Sequence, residues 1–104
     1  MAKYLLLYHG GGMPESEAEQ KKVMDAWGAW YGQLGAAVAD GGNPIGQTRT
    51  IAKDGTVTAG GGANPASGYT IISADTIDAA VSLAKGCPIL AGGGAIEVCE
   101  TFEM

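Results

Sequence analysis

The chain has one histidine, His9, and a carboxylate at Asp40 from which acid–base chemistry near neutral pH would be built. His9 follows an apolar strand at the point where that strand reaches the mouth of its sheet. There it either exchanges protons or simply bonds a loop carbonyl. Asp40 closes a helix, where its charge opposes the helix dipole, so it is either functional or a turn aspartate bonding the amides of Gly42 or Asn43. Trp27 and Trp30 offer aromatic walls for a small organic ligand, or they are plain core. Arg49, the single guanidinium, suits a ligand carboxylate or a solvated strand position beside some of the eleven acidic groups. These residues predict a cleft at the exit of the first strand, bordered by Tyr8, His9, Trp30 and Asp40, with Trp27 as a further wall and Arg49 outside. Tyr8 and His9 alternate across the strand, so one of them faces the cleft. His9 is expected there and paired with Asp40, with Tyr8 packing beside Tyr4 and Leu6.

Other reactive groups are poorly placed. One histidine without cysteine or carboxylate partners at suitable spacing builds no zinc or copper site, so no metal is expected. The glycine clusters miss both G-x-G-x-x-G and G-x-x-x-x-G-K, because Glu15, Pro65 and Glu97 occupy the third glycine's place, and no cofactor is expected. Cys87 follows a helix C-terminus, which disfavours a thiolate, and Cys99 is a small strand residue. The pair lacks C-x-x-C spacing and predicts reduced thiols.

The element that must position the candidates is a helix expected over Glu17–Ala39. Ser16 and Glu19 form an S-x-x-E capping box at its start. Val23, Trp27, Trp30, Leu34 and Val38 make one apolar stripe. Gly28, Gly32 and Ala36 leave another line bare, which predicts close approach of a backbone or a ligand. Gly41-Gly42-Asn43-Pro44 then turns the chain.

W-x-x-W-Y-G-x-L-G followed by D-G-G-N-P, together with K-Y-L-L-L-Y and A-D-T-I-D-A-A-V-S-L-A-K-G-C-P, resembles the YCII-related (DGPF-like) domain family. The resemblance spans nearly the whole chain. It is strongest at Trp27–Pro44 and Ser73–Pro88 and weak in the glycine-rich middle. It implies a ferredoxin-like α+β fold that dimerises as an α/β barrel, in a family whose biochemical roles are mostly unassigned. It also implies a dyad of a helix histidine and a following aspartate. The aspartate carries over as Asp40, whereas the histidine's place falls at Trp30.

The remaining pattern agrees. Tyr4–Tyr8 is apolar on both faces and predicts a central strand. Gln47–Ala52 predicts a short second strand, turned by Asp54-Gly55 into Val57. Ala59–Ser67 is a small-residue loop. Gly68–Ser73 predicts the strand beside the first. Asp75 with Asp78 is expected to cap a helix over Thr76–Lys85, and Ala95–Phe102 alternates as a last strand. This is the split βαβ order, with a four-stranded or larger antiparallel sheet and two helices on one face. Two helices cannot cover both apolar faces, so a homodimer is expected.

With 104 residues the chain is one domain, and a net charge of −5 with scattered lysines gives no patch for nucleic acid. The start holds too short an apolar run for a signal peptide, and no run approaches the roughly 20 residues that span a bilayer, so a cytoplasmic location is expected. Two functions fit. One is a small-molecule enzyme of isomerase or lyase type working through His9 and Asp40 between the first helix and the sheet. The other is a non-catalytic dimeric module that binds a small ligand or a partner.

Overall fold

The computed structural model describes residues 2–12 and 14–103, so Met13, within the loop expected over Gly10–Pro14, lies outside the described residues. The fold is α+β. Strand β1 (Ala2–His9) leads to helix α1 (Glu17–Leu34), a 3-10 turn (Gly35–Ala37) and strand β2 (Val38–Asp40). Strands β3 (Arg49–Ile51) and β4 (Val57–Ala59) precede β5 (Ala66–Ala74), helix α2 (Ile77–Ala84) and β6 (Ala95–Glu100). The main sheet is four-stranded and antiparallel in the order β2-β5-β1-β6, consistent with a ferredoxin-like fold.

β1 is central, as its apolar run dictates. Its even residues Tyr4, Leu6 and Tyr8 are buried under the helices, where Leu6 lies between Thr70 of β5 and Val98 of β6. Ile72, Ala74, Trp30, Leu34, Ala80 and Ala84 complete this core. Each large apolar side chain buried in it contributes about 1.5–3 kcal/mol. The indole N–H of Trp30 donates to the Leu83 carbonyl at 3.1 Å and ties α1 to α2. On the opposite face Leu5, Leu7, Tyr69 and Ile71 stay half-buried. The molecule measures 44 × 40 × 18 Å, its short dimension matching one sheet with one helical layer.

Several expectations are corrected. α1 stops at Leu34, five residues before Ala39, because Gly35 takes a φ of +51°. Val38 then joins the sheet as part of β2 and still reaches the core, so a helical stripe and a strand return leave the same mark in the sequence. Asp40 therefore ends a strand, and the argument from an opposing helix dipole falls. The second strand of the split βαβ unit is β2, and β3 with β4 forms a separate two-stranded ribbon inserted after it. The cap of α2 is Thr76, whose hydroxyl accepts from the Ala79 amide at 3.1 Å, with Asp78 in the first turn. A Cβ at Gly28 or Gly32 would meet no atom within 4 Å, so the bare line on α1 faces open space.

Other local readings match the structure. Ser16 caps α1 by accepting from the Glu19 amide at 3.1 Å. In the Asp54-Gly55 turn, Gly55 has a φ of +91° and the Asp54 carboxylate accepts from the Thr56 amide at 2.9 Å.

Candidate functional site

Three loops and one helix face enclose a cleft of about 700 Å³ at the end of β1. Its walls include Tyr8, Trp27, Tyr31 and Ile89, and its rim includes the glycines at 10–12 and 41–42. This volume lies in the range of small-ligand pockets. Trp27 is the centre of the aromatic wall. Its ring meets Tyr8 edge-on at a centroid distance of 5.5 Å and leans on Tyr31 at 5.9 Å, with Trp30 behind it at 5.7 Å.

A hydroxyl network joins the sheet to the 41–42 turn. Tyr8 donates to the Thr70 hydroxyl at 2.6 Å, and Thr70 donates to the Gly41 carbonyl at 3.2 Å. The same carbonyl accepts from the Tyr31 hydroxyl at 2.9 Å. Burial holds the Tyr8 phenol well above its ordinary pKa of 10.0, offset in part by the bond to Thr70 and reinforced by nearby Cys87 and Tyr31. Burial likewise raises the Cys87 thiol above 9.0. Both groups are therefore held protonated, and neither is an activated nucleophile. The turn is fixed by Gly42, with a φ of +72°. A Cβ there would lie 1.7 Å from the Tyr69 carbonyl oxygen, so the close backbone approach expected of the helix glycines occurs here instead.

The candidate residues divide. Tyr8 and Trp27 line the cleft. Trp30 is buried behind Trp27, its N–H committed to Leu83. The turn after Asp40 forms part of the rim, but the Asp40 carboxylate accepts from the Gly42 amide at 2.8 Å, as a turn aspartate does. His9 shares the sheet face of Leu5 and Leu7, opposite Tyr8, so the expectation that His9 faces the cleft is reversed. One ring nitrogen contacts the Pro65 carbonyl at 3.3 Å, and the other bonds the Glu97 carboxylate. His9 and Asp40 are thus held by different partners. Arg49 is exposed on β3, donating to the Thr48 carbonyl at 3.1 Å, outside the cleft wall.

Tyr31, Thr70 and Glu97 belong to these arrangements and were given no site role from the sequence, whereas the Gly42 amide is the partner a turn aspartate at Asp40 was expected to bond. Tyr31 stands four residues after Trp27, a spacing that marks one helix face. Glu97 becomes visible once β6 is registered against β1, with Leu7 opposite Glu97 and His9 diagonal to it.

Among the described residues no three His, Cys, Asp or Glu side chains gather as metal ligands, and no helix is long and apolar enough to cross a membrane. No protein-family model matches the chain, and a search of curated proteins finds no match.

Proposed function

We propose that this chain is a YCII-related, DGPF-like domain that acts as a homodimeric binding module for a small, flat, largely apolar organic molecule. The observation that carries the reading is the aromatic cleft itself. Trp27 and Tyr31 supply ring surface backed by the buried Tyr8, and the adjoining hydroxyls are held in mutual bonds. Binding is favoured over acid–base turnover because His9 and Asp40 bond elsewhere, while Tyr8 and Cys87 are protonated. The bonds of His9 to Glu97 and Pro65 join β1, β6 and the segment before β5, which suits a structural tie. The homodimer is supported by Leu5, Leu7, Tyr69 and Ile71, a half-buried row on the sheet face opposite both helices. A second copy packed there is expected to bury about 1,600 Å² in total.

The test is an NMR titration of the ¹⁵N-labelled protein with naphthalene-sized aromatic compounds. Shifts centred on the Trp27 indole N–H and the Gly41 and Gly42 amides, lost in Trp27→Ala, are expected. If no such compound moves these signals at millimolar concentration, the reading fails. Sedimentation of wild type against Ile71→Glu tests the dimer, and a wild-type chain remaining a 10.5 kDa monomer at micromolar concentration overturns it.

A further inference from the structure

Resting on the binding reading above, we infer that the hydroxyl side of this cleft selects ligands that donate a hydrogen bond, such as a fused-ring phenol or an N–H heteroaromatic, over ligands that bear an anion. The proton inventory carries the inference. Tyr8, Tyr31 and Thr70 bring three hydroxyl protons. Tyr8 gives its proton to Thr70, while Thr70 and Tyr31 give theirs to the Gly41 carbonyl. The alternative contact, Thr70 with Tyr31 at 3.3 Å, still keeps every proton inside the network. Each hydroxyl has one proton and two lone pairs, so acceptor capacity is what remains to an incoming molecule. Tyr8 is buried and its oxygen is engaged with Thr70, whereas Tyr31 is half-buried beside the 41–42 turn. The Tyr31 oxygen is therefore the reachable acceptor, and a ligand O–H or N–H is its complement.

Charge points the same way. Among the described lining residues Lys22 is the sole cation, and it stands at the exposed mouth 4.0 Å from Glu19. A carboxylate placed against the tyrosine wall would meet lone pairs with no cation to offset its desolvation. A neutral donor loses nothing comparable.

Calorimetry with 2-naphthol, naphthalene and 2-naphthoate, three probes of one ring size, tests this. 2-Naphthol is expected to bind at least tenfold more tightly than naphthalene, with 2-naphthoate weakest. Tyr31→Phe should bring 2-naphthol to the level of naphthalene. That variant keeps the fold, because Thr70 still donates to Gly41. Equal binding of 2-naphthol and naphthalene to the wild type, or a preference for 2-naphthoate, overturns the donor preference and leaves the cleft standing. Absence of binding by all three probes overturns the underlying cleft reading, and this inference with it.

Discussion

The indole of Trp27 and the ring of Tyr8 meet edge to face at 5.5 Å and 72°, joining the middle of α1 to the last helix-facing position of β1. Trp27 is half-buried and borders the cleft, whereas Trp30, three residues on, is sealed beneath it. The two tryptophans should therefore separate experimentally. Trp30→Ala is expected to cost about 3–5 kcal/mol in urea denaturation, since it opens a core cavity and removes the indole bond that ties α1 to the Leu83 carbonyl of α2. Trp27→Ala should cost less, about 1–2 kcal/mol given its partial exposure, and should abolish ligand binding. Equal losses in the two variants would contradict this division.

The glycines offer an opposed pair. Gly42→Ala is expected to destabilise by several kcal/mol or prevent folding, because its Cβ collides with backbone at a positive φ. Gly32→Ala should stabilise by about 0.5–1 kcal/mol, since the helix gains propensity and the new methyl meets nothing. Thermal melts of the two variants decide it, and a destabilised Gly32→Ala would restore the close-approach expectation.

His9 gives a clean NMR readout as the chain's one imidazole. Glu97→Gln should shift its ring resonances strongly, and Asp40→Asn should leave them unchanged. Movement on Asp40→Asn would re-establish the dyad that the sequence suggested.

Alkaline pH should weaken the fold in a defined window. The folded protein holds the protons of Tyr8 and Cys87 more tightly than the unfolded chain, which releases them near 10.0 and 9.0. Their contribution is full well below pH 9, begins to fall as pH rises through 9 and 10, and is lost only as pH reaches the raised folded values. Urea midpoints measured from pH 8 to 11 should fall across this range, and the decline above pH 10 should be shallower in Tyr8→Phe.

The α+β architecture was legible because β1, β5 and α2 carry strong local patterns: an unbroken apolar run, a β-branched and aromatic run, and a capped amphipathic helix. β2 was not, because three residues at a sheet edge carry no periodicity and Val38 continued the stripe that runs from Val23 to Leu34. At the site, residue type marked Trp27 as a candidate wall, and Trp27 and Tyr8 both line the cleft. The facing of His9 was missed because alternation states that Tyr8 and His9 differ, without saying which one meets the helices. Its tie to Glu97 spans 88 residues, and local patterns cannot encode such a pairing before the β1–β6 register is known.

The β3–β4 ribbon leaves the body through a neck already stitched shut. The Ile45 amide bonds the Ser67 carbonyl at 3.0 Å, the Tyr69 amide bonds the Asn43 carbonyl at 3.3 Å, and Pro44 bridges Gly68. Ile51 and Val57, the pair nearest its tip, are 71% and 58% exposed, and a lone two-stranded ribbon is marginal in water. The ribbon is thus a detachable module on a body that closes without it. Its excision and replacement by a short turn between Ile45 and Pro65 should keep β1, β2, β5 and β6 in register. The same neck marks where the gene can be opened to accept a foreign domain, or split into two fragments that reassemble through the β1–β5 ladder.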